Sequence, residues 1–267
     1  MIGVAIGDIA GSIYEFIGMR DKNFPFMSER CEFTDDTVMG VAVAKAVMDY
    51  KDGVDKSEEA LRQAVIREMR HFGKLYPDPM GGYGGRFAQW LASDNPQPYN
   101  SWGNGSAMRV AACGFAAEDM DEAMMMARVV SEVTHNHPEA IQGAQVVAGC
   151  IHMAKCMAYK EEIRQWAESV YGPFDFTVDE LRKTYTFTER CSETVPPAIM
   201  AFLESEGFED AVRNAVSIGG DADTLAAITG GIAEAYYGVP VDLRNKARTF
   251  LDNRLMGVMD KFERRFG

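Results

Sequence analysis

The sequence has few cysteines and no long apolar run, and each shortage excludes a class of protein. Its 267 residues include five cysteines, which are scattered and form no CxxC pair, so neither a disulfide framework nor a zinc ribbon is expected. No apolar stretch approaches the ~18 residues that cross a bilayer. The apolar N-terminus lacks the basic segment of a secretory signal. We therefore expect a cytoplasmic protein with reduced cysteines and no membrane contact.

Positive charge is also scarce. Lysine and arginine number 27 against 40 aspartates and glutamates, which gives a formal net charge of −13. Such a surface repels nucleic-acid phosphates, so we expect no nucleic-acid partner, although a local site could still bind a small anion. The length suits a single domain over residues 1–267 with one large core.

Alternating strand-like patterns are rare and weak, at residues 174–178 and 185–188 only. Apolar residues recur every three or four positions elsewhere, which predicts helices nearly throughout. The predicted helices cover residues 37–50, 58–75, 121–133, 138–159, 161–170, 196–205, 208–218, 224–237 and 241–266, the last as one helix or two. The loops 76–86 and 93–106 mix glycine and proline with aromatic residues. We therefore predict an all-α fold with functional loops.

Two acidic motifs each stand directly before an apolar helix. One is Thr34-Asp35-Asp36-Thr37, and the other is Gly219-Gly220-Asp221-Ala222-Asp223-Thr224. Helix capping explains one acidic residue at each helix well, but two desolvated carboxylates repel each other. A divalent cation removes that conflict, and oxygen ligands favour Mg²⁺, Mn²⁺ or Ca²⁺ over zinc. The spacing alone leaves capping and metal binding equally open.

A third acidic element lies near the N-terminus. Asp8 and Glu15 are seven positions apart, so they would share one face of a helix. Glu15 follows an apolar stretch and is either a further metal ligand, a general acid or base, or a surface carboxylate at a helix end.

Two glycine-rich loops could approach a ligand closely. Gly103-Asn104-Gly105-Ser106 is expected to lead into a helix whose N-terminus would suit a diphosphate, or else to form a plain turn. Tyr83, within the loop 81–86, could stack on a base or a ribose. Neither loop is a phosphate-binding loop of the GK[ST] type or a dinucleotide fingerprint. His135 and His137 either make hydrogen bonds at a helix entry or contact a ligand.

In order, the motifs GDIAGSIYE, TDDT, GNGSAMR, THNHPE and GGDADT resemble those of the ADP-ribosylglycohydrolase family, which includes the dinitrogenase reductase-activating glycohydrolase. They run from Gly7 to Thr224, which is most of the chain. The resemblance implies an all-α orthogonal multi-helix bundle with two divalent cations, Mg²⁺ or Mn²⁺. The metal ligands it implies are Thr34, Asp35, Asp36, Asp221, Asp223 and Thr224.

The same resemblance implies ligand contacts. Glu15 matches the family's glutamate near the metals, and Gly103, Asn104, Gly105 and Ser106 match the loop along the diphosphate. Tyr83 and His135 are expected to contact the ligand as well.

The implied reaction is hydrolysis of the glycosidic bond at C1 of the distal ribose, which releases ADP-ribose. The substrate would be an ADP-ribosylated protein, with arginine linkage favoured, or a small ADP-ribosyl compound. Asp35 or Asp36 would act as the base, with Glu15 as the alternative. Two other functions stay open: a non-catalytic ADP-ribose-binding or crystallin-like protein, and another binuclear metallohydrolase such as a nucleotide phosphoesterase.

Overall fold

Fourteen α-helices make up the fold in a computed structural model that describes residues 1–267. They are α1 (Ile2–Gly11), α2 (Asp35–Asp52), α3 (Glu58–Leu75), α4 (Gly85–Ala92), α5 (Ala111–Ala116), α6 (Met120–Glu132), α7 (Pro138–Lys155), α8 (Lys160–Tyr171), α9 (Val178–Thr184), α10 (Cys191–Leu203), α11 (Phe208–Ile218), α12 (Ala222–Tyr237), α13 (Val241–Arg248) and α14 (Asn253–Phe266). Only two isolated β-bridges occur. The all-α prediction is confirmed.

The core is centred on α1 and α12, which pack antiparallel with their backbones in close approach. Every residue of α1 is buried, as is the first three-quarters of α12. Glycines permit the approach: a Cβ at Gly3 would lie 2.5 Å from the carbonyl oxygen of Gly230, and one at Gly7 would lie 1.9 Å from that of Ala226. The C-terminus of α1 therefore meets the N-terminus of α12, where the second acidic motif lies. α12 also packs against α7, α10 and α11.

We expect Gly7→Ala to destabilise the protein by about 3 kcal/mol or more, because the new methyl group would collide with backbone that cannot rotate away. Gly257→Ala is the matched control: its Cβ would meet nothing within 4 Å on α14, and alanine favours a helix by up to about 1 kcal/mol. Urea unfolding of both variants measures the difference. Equal effects on the free energy of unfolding would contradict the close packing of α1 on α12.

Several predicted helix boundaries are confirmed and others are corrected. The helices at Glu58–Leu75 and Phe208–Ile218 are as predicted. The predicted helix 138–159 ends at Lys155, since Met157 takes a positive φ of 64°. The C-terminal segment forms two helices, which is one of the two predicted alternatives. The predicted helix 196–205 begins earlier, at Cys191, so its two prolines lie inside the helix.

The two strand candidates are wrong. Residues 174–177 form a loop, and residues 178–184 form α9 instead. The capping box between Thr177 and Glu180 explains this helix, because each side chain bonds the other's backbone N–H. Residues 185–188 form a loop. No helix combines the length and hydropathy that a membrane span requires, and all five cysteines are free.

Candidate functional site

A carboxylate from outside the first acidic motif holds that motif in place. Asp8, fully buried near the end of α1, accepts hydrogen bonds from the backbone N–H and hydroxyl of Thr34, at 2.9 and 2.7 Å. It accepts the same pair of bonds from Thr37, at 3.1 and 2.5 Å. Burial raises the pKa of Asp8 to about 6 although these bonds lower it. The capping of α2 is thus supplied by Asp8 and Thr34, which leaves Asp35 and Asp36 free to line a cavity.

Glu15 reaches the second acidic motif from a turn. Because α1 ends at Gly11, the prediction that Asp8 and Glu15 share a helix face is wrong. A Cβ at Gly11 would lie 2.4 Å from the Cα of Asp223, so the turn after α1 starts beside α12. Carboxylate oxygens of Glu15, Asp221 and Asp223 all lie within 4.8 Å of one another.

The two acidic motifs meet across the core, although 188 positions separate the residues that join them. The hydroxyl of Thr224 donates to Asp36 Oδ2 at 3.2 Å. Asn104 Nδ2 donates to Asp221 Oδ2 at 2.6 Å and ties the glycine loop to the same cluster. Capping does not explain Asp221, because its side chain makes no cap hydrogen bond at the start of α12.

No basic side chain forms an ion pair with these carboxylates. None of the ion pairs in the chain includes Glu15 or an aspartate of either motif. Asp36 Oδ1 is buried without a hydrogen-bond partner. Burial and then neighbouring carboxylates raise the pKa of Asp35 to about 8, and raise those of Asp36 and Asp223 well above the ordinary value. An all-oxygen cluster with an orphaned carboxylate oxygen suits a hard divalent cation.

The carboxylates form one wall of a cavity of about 420 Å³, a volume typical of ligand pockets. The glycine-rich segment 81–86 also lines this cavity, with Tyr83 half-buried in it. The ring of Tyr83 lies 5.5 Å from that of Phe87, and its hydroxyl donates to the carbonyl of Tyr76. Tyr83 is thus held in the cavity lining, and its role in stacking stays a prediction.

The loop 103–106 is not the start of a helix, contrary to prediction. Residues Asn104–Ser106 form a single 3-10 turn, and α5 begins only at Ala111. Gly103, Asn104 and Gly105 line the cavity. Ser106 does not, because its buried hydroxyl faces the carbonyls of Gly103 and Ala140 at 3.1 and 3.0 Å. Ser106 therefore supports the loop from behind, much as Thr34 supports the first motif.

The two histidines of THNHPE have different places. His135 is buried beside the cavity with its Nδ1 at 2.7 Å from the Thr134 hydroxyl. Burial, then the charges of Arg109 and Arg86, hold the pKa of His135 well below its usual range, so its ring is neutral. His137 accepts a hydrogen bond from the N–H of Glu139 and caps α7. The helix-entry role thus belongs to His137.

Sequence reasoning missed several residues that line this cavity. They are Phe16, Arg86, Tyr99, Arg109, Phe187 and Glu189. Phe16 directly follows Glu15, so its place could have been inferred from the motif. No motif marks the loop 185–190, which is joined to the site by a hydrogen bond from the N–H of Asn104 to the carbonyl of Glu189 at 2.7 Å.

The all-α fold gathers buried carboxylates around a ligand-sized cavity. This arrangement is typical of a hydrolase whose acidic site could hold divalent cations. Residues 1–266 match the ADP-ribosylglycohydrolase family, and the chain belongs to that family. The resemblance drawn from the motifs and the enzyme class it implied are confirmed.

Relatives and a solved structure agree with this assignment. ADP-ribosylarginine hydrolase Tri1 from Pseudomonas putida is 28% identical, with 90% of this chain and 70% of the relative covered. ADP-ribosylhydrolase ARH3 from Homo sapiens is 26% identical, with 90% and 84% covered. A solved "ADP-ribosylglycohydrolase-related protein complex" superimposes with a TM-score of 0.69 at 23% identity over 99% of this chain and 95% of that one, which supports the fold.

Proposed function

We propose that this chain is a metal-dependent hydrolase that cleaves the bond at C1 of the distal ribose of ADP-ribosylated side chains or small ADP-ribosyl compounds. The observation that carries the proposal is the meeting of Asp36 and Thr224 in one cavity with carboxylates that no basic residue pairs. Among substrates, arginine-linked ADP-ribose is favoured, since one relative is an ADP-ribosylarginine hydrolase.

The residues that would hold two divalent cations, Mg²⁺ or Mn²⁺, are the carboxylates and hydroxyl that line the cavity. They are Asp35, Asp36, Asp221, Asp223 and Thr224. Bound cations would supply positive charge that orients ribose hydroxyls and lowers the pKa of water. Thr34 is the sixth ligand that the resemblance implies. Its hydroxyl donates to Asp8 and its oxygen accepts from the N–H of Asp36 at 3.2 Å, which leaves one lone pair for a cation.

The chain's own carboxylates would perform the proton transfer. Asp35 and Asp36 lie on the cavity wall and are the first candidates for the base that takes a proton from the attacking water. Glu15 is the alternative, because burial and then the charge of Asp221 raise its pKa to about 7, close to the range in which a general base works best. The surrounding negative charge would also favour the oxocarbenium-like transition state.

The glycine-rich loops and the residues around them would position the nucleotide. Backbone at Gly103 and Gly105 can approach a diphosphate without a side chain in the way, and a Cβ at Gly105 would lie 3.2 Å from His135 Nε2. Tyr83 would stack on a base or ribose, and neutral His135 can hydrogen-bond without adding charge. Binding energy from these remote contacts would fix C1 against the carboxylates.

Identifying the products tests the proposal. Incubation with ADP-ribosyl-arginine and Mg²⁺ or Mn²⁺ is expected to give free ADP-ribose and arginine. AMP or phosphate would instead identify a nucleotide phosphoesterase. If metal binds but arginine-linked substrate is not cleaved, O-linked and acetylated ADP-ribose are the next substrates to assay. A protein that binds ADP-ribose but neither metal nor any cleavable substrate would fit the non-catalytic alternative.

A further inference from the structure

Two exposed aromatic rings stand together at the mouth of the cavity. Phe16 is 75% exposed and Phe187 is 46% exposed, yet both line the cavity. Their ring centroids lie 6.0 Å apart with 26° between the planes. Large aromatic side chains left open to water at a pocket are poised to contact a ligand. Neither ring is among the groups proposed to hold the cations or the nucleotide.

Each of these rings comes with a carboxylate. Phe16 directly follows Glu15, and Phe187 lies two positions before Glu189, which also lines the cavity. Glu189 lies close enough to Glu15 that its charge contributes, after burial and Asp221, to the raised pKa of Glu15. Neither glutamate has an ionic partner in the chain. This part of the mouth is therefore both aromatic and anionic.

The cavity's own cations lie elsewhere in its lining. Arg86 stacks on the ring of Tyr99, with its guanidinium carbon 4.8 Å from the ring centroid. The guanidinium of Arg109 is buried and donates to the hydroxyl of Thr134 at 2.6 Å. An anionic diphosphate is favoured near Arg86 and the glycine loop, whereas the mouth at Phe16 and Glu189 favours a cation.

The loop that carries Phe187 and Glu189 is held firmly. The N–H of Asn104 donates to the carbonyl of Glu189, and the N–H of Cys191 donates to the carbonyl of Trp102 at 3.1 Å. The hydroxyl of Thr188 donates to Glu193 at 2.8 Å. A ring fixed in this way loses little conformational entropy when a ligand stacks on it.

We infer that Phe16, Phe187 and Glu189 form the leaving-group subsite and select the guanidinium of an arginine-linked substrate, an inference that rests on the proposed function. A guanidinium is planar and weakly hydrated, stacks on aromatic faces and pairs with carboxylates. Serine-linked and acetylated ADP-ribose present no cation and would gain nothing from these groups. The subsite would thus set substrate preference without taking part in proton transfer.

Equilibrium binding tests the subsite without turnover. Agmatine, a small guanidinium compound, is titrated by calorimetry into Mg²⁺-loaded protein saturated with ADP-ribose. Phe187→Ala is expected to weaken agmatine binding by about 3- to 30-fold, the range of a cation–π contact. Glu189→Gln should weaken it as well, whereas Phe187→Tyr should retain it. The Kd for ADP-ribose alone should change by less than about twofold in each variant.

The matched control is Met157→Ala. Met157 is 88% exposed and follows the C-terminus of the 18-residue helix α7, about 27 Å along that helix from its start near the cavity. It should bind agmatine as the wild type does. If the wild type binds no agmatine, or if Phe187→Ala weakens ADP-ribose and not agmatine, the subsite is wrong. Agmatine binding without hydrolysis of any ADP-ribosyl compound would instead overturn only the proposed function.

Discussion

Asp36→Asn is expected to lower the kcat for ADP-ribose release by about 100-fold or more, since loss of even the groups that support metal ligands costs 10- to 100-fold. Asp36 Oδ1 has no hydrogen-bond partner in the chain, and Oδ2 accepts from Thr224 at 3.2 Å. The amide keeps the shape of the side chain but loses the negative charge that a divalent cation needs. The variant should therefore also lose the rise in Tm that Mg²⁺ or Mn²⁺ gives the wild type.

The same substitution should leave the fold intact. In metal-free protein it replaces a carboxylate whose charged form is disfavoured by burial and by neighbouring carboxylates, so its Tm should equal or exceed that of the metal-free wild type. Asp94→Asn makes the same chemical change at an exposed loop position that is not part of the cavity lining, so this variant should keep full activity. An Asp36→Asn enzyme with more than about a tenth of wild-type kcat would show that Asp36 has neither proposed role.

Metal-free protein is expected to lose stability as pH rises from about 5 to about 8, against the usual behaviour of paired carboxylates. Burial first, and then neighbouring carboxylates, raise the pKa of Asp35 from 3.8 to about 8. Between these values the folded protein keeps a proton that the unfolded chain has released. The folded state thus binds more protons, and the free energy of unfolding falls with rising pH. Asp36 and Asp223, shifted in the same direction, add to the fall.

Divalent cations should reverse this trend, because they bind the ionised carboxylates and compete with protons. We expect the difference in Tm between Mn²⁺-loaded and EDTA-treated protein to grow across this pH range by about 5 °C or more, as 1 kcal/mol moves a domain of this size by roughly 2–4 °C. Thermal scans at several pH values, with and without metal, measure it. Asp223→Asn should flatten the metal-free slope. A metal-free Tm that climbs with pH would contradict the raised pKa values.

Sequence patterns predicted most helices and the acidic character of the site, because both depend on residues close together in the chain. Glu58–Leu75 has a regular apolar repeat, and Phe208–Ile218 follows a glycine and ends at one, so both are fixed by nearby residues. The strands predicted within residues 174–188 do not form, because aromatic and β-branched residues favour strands only where a partner strand exists. Here the Thr177–Glu180 capping box started a helix instead.

The assembly of the site depends on long-range packing that no local pattern reports. Gly7 and Gly11 let α1 lie against α12, which places Glu15 beside Asp221. The sequence suggested these carboxylates but gave no means of showing that they meet. The roles of Asp8 as a cap and of Ser106 as a support behind its loop also depend on which neighbours surround them.

Metal-dependent release of ADP-ribose from ADP-ribosyl-arginine tests the central claim most directly. The rate is measured with Mg²⁺ or Mn²⁺, again after treatment with EDTA, and once more after the cation is restored. The account predicts turnover with the cation, loss of turnover with EDTA and recovery on restoration. Undiminished release of ADP-ribose in EDTA, by protein shown to contain no divalent cation, would contradict it.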